Sequence, residues 1–145
     1  MKIVMGSILG LVGGLLVLVG TMLPWATATS GGVTVSAAGI IVPIFGILVL
    51  LMGLLGMVFA IIPKPVMGIL AMVFGIIGLV FLLLSFGVLS ILSSLGAGVF
   101  AIGYGIYICL IGAVLLLVGG PMQYVQLKKA AAAPPMSPMM APPPA

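Results

Sequence analysis

The chain has 145 residues, 65% of them hydrophobic and only 3% charged: four lysines, with no Arg, Asp, Glu or His. A soluble domain keeps its surface wet with roughly 25% charged residues, so this chain has to be solvated by lipid. The same absence excludes general acid–base catalysis by carboxylate or imidazole, hard-cation sites, transmembrane proton relays and, at a scattered net charge of +4, a nucleic-acid footprint.

The length predicts one compact unit. Cys109 is the only cysteine, which rules out an intrachain disulfide or a cysteine metal cluster. Between Ile108 and Leu110 it reads as a small buried hydrophobe. No enzyme, catalytic residue, cofactor or metal is expected.

A bilayer core about 30 Å thick takes roughly 20 apolar residues in a helix. Residues 3–23 form the first such run, ended by Pro24. Lys2 before it and Ala26-Thr27-Ala28 after it also fit a cleavable leader with an A-x-A site, making residues 1–28 removable. The run is longer than the usual apolar core of a leader and carries regularly spaced glycines, so it is read as a retained span.

Residues 23–39, LPWATATSGGVTVSAAG, are the longest polar interruption. Residues 25–29 and 33–36 alternate with period two around Ser30-Gly31-Gly32, which predicts a small β-hairpin. Trp25, the one Trp, is expected at the headgroup level with its ring in the apolar region and its N–H in water.

Residues 40–62 form the second span, ended by Pro63-Lys64-Pro65. Residues 66–92 form the third, ended by Ser93-Ser94-Leu95-Gly96, and 97–120 the fourth, ended by Pro121. Proline cannot continue a helix and biases its predecessor away from α geometry. Transmembrane strands would alternate apolar and polar, and these runs do not. The expected fold is therefore an all-α membrane protein: a four-helix transmembrane bundle, residues 1–127, with a hairpin-like external loop between the first two helices. Residues 128–145, rich in Ala, Pro and Met, are expected to be a disordered cytoplasmic tail. Its Pro135-Met-Ser-Pro138 matches P-x-x-P, a pattern frequent by chance.

On a four-pass path Lys2, Lys64, Lys128 and Lys129 fall on one side, which the positive-inside bias makes cytoplasmic. Both termini are then inside the plasma membrane and the hairpin is outside. Tyr104 and Tyr124 are expected as interface anchors at the outer and inner ends of the fourth span, alongside Trp25 and the lysines.

Small residues let helices approach closely where the hydrophobic effect cannot drive them together. Gly6, Gly13 and Gly20 recur every seven residues in the first span, as do Gly46, Gly53 and Ala60 in the second, Gly68 and Gly75 in the third, and Gly98, Gly105, Gly112 and Gly119 in the fourth. A seven-residue period holds one stripe against a neighbour. Gly6, Gly10 and Gly14 add a G-x-x-x-G pattern that suits either packing within the chain or a homo-oligomer. The second and fourth spans share their spacing at a constant offset, which hints at a duplicated helical hairpin.

With Leu23-Pro24-Trp25 ending the first span, a small-residue loop at 31–39 and a Pro-rich tail from Pro134, the chain resembles a broad group of small prokaryotic four-span membrane proteins. It is more distantly similar to claudin-type tetraspans, which place a β-structured loop between spans one and two. It lacks their paired loop cysteines and second loop Trp, so barrier function does not carry over. The resemblance implies architecture and no assigned activity. The expected role is structural or accessory, organising membrane-protein partners through helix packing, loop and tail. The alternatives are an oligomeric, holin-like pore and a small transporter subunit. The small multidrug transporters of similar size rely on a membrane-embedded Glu that this chain lacks.

Overall fold

The computed structural model describes residues 4–39, 44–95 and 99–134. Lys2, Gly98, the P-x-x-P stretch and most of the proposed tail lie outside those residues.

In chain order the elements are α1 (Met5–Met22), β1 (Pro24–Ser30), β2 (Val33–Ala38), α2 (Phe45–Ile61), α3 (Pro65–Ser94), β3 (Val99–Ile102) and α4 (Tyr104–Ala132). The described residues are mostly helical, with a small three-stranded sheet at one end. Three helices, α1, α3 and α4, are long and apolar enough to cross a membrane, and α2 is a shorter apolar helix of 17 residues.

The helices close into a ring: α1 packs on α2 and α4, and α3 packs on α2 and α4. Val17, Val49, Leu82, Ile106, Ala113 and Leu116 fill its centre. The outward faces carry Ile8, Leu51, Val80 and Ile111, all exposed.

The hairpin forms with Gly31 and Gly32 as its two-residue loop, at φ +58° and +83°. Positive φ at both central residues is what a type I′ turn requires, and glycine adopts it without a Cβ clash. β1 pairs antiparallel with β2 from Ser30↔Val33 to Pro24↔Ala38.

Four features depart from the sequence reading. The fourth span was expected from residue 97, yet residues 99–102 form β3, which pairs antiparallel with β1 from Thr29↔Val99 to Ala26↔Ile102. Its residues Val-Phe-Ala-Ile suit a strand as well as a helix, and an apolar run this short has no periodicity to separate the two. The exposed edge of β1 supplies the decision.

Second, Pro121 does not end α4, which continues through it to Ala132. In an apolar setting neighbouring helices stabilise a proline-containing helix, and α3 lies against α4 at Gly120 here. Lys128 to Ala132, assigned to a disordered tail, are helical. Their Lys and Ala residues are good helix formers, and Ala133-Pro134 supplies the stop.

Third, Ile44, inside the expected second span, is not helical and α2 runs from Phe45; residues 40–43 of that span lie outside the described residues. Pro43 precedes it in the sequence, and Ile44 sits at φ 74°, ψ −62°, the angles of a tight γ-turn. The fourth departure concerns Trp25 and is described with the polar contacts below.

Candidate functional site: helix seams and their polar clips

The glycine stripes of α1 and α4 face one another in antiparallel register. A Cβ placed on Gly6, Gly13 or Gly20 would lie 2.8, 2.7 or 2.9 Å from the carbonyl oxygen of Gly119, Gly112 or Gly105. The relation is reciprocal: a Cβ on Gly119, Gly112 or Gly105 would lie 2.9, 2.6 or 2.8 Å from the carbonyl oxygen of Gly6, Gly13 or Gly20. Each glycine thus aims a Cα–H bond at the opposing backbone carbonyl, the geometry of weak Cα–H···O contacts at helix interfaces. No side chain fits between the two backbones.

Gly10 and Gly14 turn to α2 instead. A Cβ on Gly10 would lie 2.6 Å from Ala60 Cβ, and one on Gly14 would lie 2.6 Å from Met57 Cβ and 3.0 Å from the Gly53 oxygen. Gly53 in turn receives Val17. The G-x-x-x-G pattern therefore splits within one chain: Gly6 meets α4, Gly14 meets α2, and Gly10 aims its Cβ position at α2 while its backbone lies against Gly119 of α4. Gly46 is buried on α2. Gly68 faces Gly120 reciprocally, with Cβ-to-oxygen separations of 2.6 and 2.5 Å, and Gly75 lies over Ala113, Leu116 and Leu117 of α4.

Polar side chains clip the ends of these seams. Trp25 is fully buried, and its Nε1–H donates to the Gly20 carbonyl at 2.9 Å. This corrects the expected water-facing indole. The β1–β2 register shifts between Pro24 and Ala26, and a bulge of this kind re-aims the extra side chain. The indole drops onto the C-terminal end of α1, where Gly39 leaves room for it. Gly103 N–H donates to the Trp25 carbonyl at 2.8 Å, tying β3 to the same point.

At the opposite end, Gly6 N–H donates to Gln126 Oε1 at 3.1 Å, which caps α1. Gln123 is fully buried and its Nε2 donates to the Ala60 and Ile62 carbonyls at 3.3 and 3.0 Å, capping the C-terminal end of α2. Helix ends leave such groups without intrahelical partners, and in a dry setting each unsatisfied group costs several kcal/mol. Gln123 Oε1 has no protein partner among the described residues.

These glutamines were overlooked in the sequence. Their signal was present: they are the only carboxamides in the chain, three residues apart and so on one helix face.

Thr21, Ser85 and Ser90 donate to carbonyls of their own helices at 2.7, 2.8 and 2.9 Å. Cys109 is buried, with Sγ 3.5 Å from the Val17 oxygen. Tyr104 opens α4 and is exposed. Tyr124 sits under Lys128, whose Nζ is 3.5 Å from its hydroxyl and 5.6 Å from its ring centroid. Lys64, the N-cap of α3, and Lys129, in the last turn of α4, are exposed.

A small void of about 10 Å³ lies among Val17, Val49, Phe74, Leu82 and Leu116. Its walls are apolar, and a water needs two to four polar partners to stay in such a space. Comparison with protein-family models, curated proteins and solved structures returned no match.

Proposed function

We propose that the chain is a four-pass integral protein of the plasma membrane with a structural or accessory role. In this reading α2 supplies the fourth crossing. Both termini are cytoplasmic and the sheet lies outside. Lys64, Lys128 and Lys129 support that orientation through the positive-inside bias, as does the absence of charge from residues 4–39.

The observation that carries the role is the contrast between outside and inside. Large apolar side chains are exposed on all four helices, a surface far beyond the patch a soluble monomer leaves open. Inside, the backbones meet at glycine and the void among Val17, Val49 and Leu82 is apolar. A closely packed interior whose one titratable side chain among the described residues is the buried Cys109 thiol supports a scaffold rather than a conduit. The sheet and tail are then what partners meet.

Reconstitution into liposomes tests this. The scaffold reading expects no ion conductance and no dye release at any protein density. Stepwise conductance would replace it with the oligomeric-pore reading. Thiol labelling of Thr29→Cys and Lys129→Cys in a Cys109→Ala background tests the topology. External reagent should reach the first and not the second.

A further inference from the structure

We infer that the inner end of α4 holds one anionic phospholipid, a reading that rests on the proposed membrane orientation. A groove of about 390 Å³ is lined by Pro121, Met122, Val125, Gln126 and Lys129. These positions recur along one face of α4 over about two helical turns, a rise near 12 Å. Along that rise the chemistry changes in one direction. Pro121, Met122 and Val125 are apolar, Gln126 is neutral and polar, and Lys129 is cationic. This is the gradient of a phospholipid lying along a helix, acyl chain against the first three and phosphate against the last two.

Among the described residues the donors are free for that purpose. Gln126 spends its Oε1 on Gly6 N–H, while its Nε2 makes no hydrogen bond among the described residues. Lys128 lies against Tyr124, which leaves Lys129 as the groove's cation. No Asp or Glu side chain exists in the chain to neutralise it. Charge complementarity therefore favours an anion from outside, and the apolar half of the groove selects one that carries a hydrocarbon chain. A free phosphate would leave Met122 and Val125 uncovered.

Native mass spectrometry of the full chain, released from neutral detergent with titrated phosphatidylglycerol or phosphatidylcholine, reads the binding. The first phosphatidylglycerol should bind more tightly than phosphatidylcholine. Lys129→Gln should weaken it about fivefold, the worth of one lysine at an anionic surface, while Lys128→Gln should change it less than about twofold. Val125→Trp, which fills the groove without touching charge, should also weaken it. Equal losses in the two lysine variants would overturn the site in favour of diffuse attraction. Equal binding of the two lipids, or displacement of phosphatidylglycerol by inorganic phosphate, would overturn the ligand class. Flotation with phosphatidylcholine liposomes is run first. A chain that stays in buffer there fails the membrane reading itself, an outcome separate from failure of the groove.

Discussion

Replacing Gly13 by Ala adds one methyl group at the middle of the α1–α4 seam. That methyl would sit 2.7 Å from the Gly112 oxygen, 2.8 Å from the Leu116 nitrogen and 3.0 Å from Leu115 Cβ. The two nearest are backbone atoms, which cannot swing aside as a flexible side chain can. The helices must separate by roughly 0.5–1 Å to restore ordinary contact, and every pair along the seam loosens together. Overpacking of this kind costs about 1–3 kcal/mol, offset by up to about 1 kcal/mol of better helix propensity, for a net loss on the order of 1–2 kcal/mol. Gly87 is the control: it lies in α3 with nothing within 4 Å of its Cβ position. There only propensity acts, so Gly87→Ala should be neutral or stabilising by up to about 1 kcal/mol. Titration with sodium dodecyl sulfate in mixed micelles, read by the emission of the single buried Trp25, measures both. Combining Gly13→Ala with Gly112→Ala sharpens the test, because the two share one gap. Once the helices have parted for the first methyl, the second costs less, so the double variant should fall short of the sum by roughly 0.5 kcal/mol or more. Equal midpoints for Gly13→Ala and Gly87→Ala would refute contact between the two backbones.

Trp25→Phe keeps an aromatic ring but removes the bond to Gly20, and should lower the same midpoint by about 1 kcal/mol; a Tyr-based or circular-dichroism readout replaces the lost fluorophore. Gln123→Met fills similar volume while leaving the Ala60 and Ile62 carbonyls bare, and should cost about 1–3 kcal/mol, with no loss if water already serves those carbonyls. Replacing Gly32, at φ +83°, by Val should destabilise the hairpin by roughly 1–2 kcal/mol, seen as faster proteolysis of the loop, while Gly31→Asn should be tolerated because Asn suits such turns. With no Asp, Glu or His in the chain, no side chain has an ordinary pKa between about 4.5 and 7.5. Folded and unfolded states then differ by no side-chain protons, and stability should be flat across that interval. A slope in the unfolding midpoint there would contradict this.

Much of the helical layout was legible because long uninterrupted apolar runs report helix lengths and the prolines punctuate them. Pro24, Pro63 and Pro65 mark real boundaries, as the ends of α1 and α2 and the start of α3 attest. Pro121 does not, because tertiary packing overrides a local preference. The hairpin was legible from alternation around Gly31-Gly32. β3 was not, since four apolar residues beside a span look like its first turn. The glycine spacing was visible, but the mates were not: nothing local in Gly10 says that it meets Ala60 while Gly6 meets α4. Trp25 was misplaced because composition reports an amphipathic ring, whereas the bulge and the nearby Gly20 carbonyl decide where its N–H points. The role of Gln123 and Gln126 depends on contacts with residues 63 and 120 positions away, which no window reveals.

The regularity of the α1–α4 seam carries a hazard. Gly6, Gly13 and Gly20 form a ruler, and so do Gly105, Gly112 and Gly119, so sliding one helix along the other by a full period, about 10.5 Å, would still mate two glycines with two. A periodic surface alone cannot say which of these alignments is native. The choice falls to features that do not repeat: the Gln126 bond to Gly6, the Trp25 bond to Gly20, and the pairing of Ala26 with Ile102 just beyond the helix ends. These contacts act as keys at either end of a sliding bolt. A chain stripped of them would keep a well-packed interior and still be able to lock in the wrong notch.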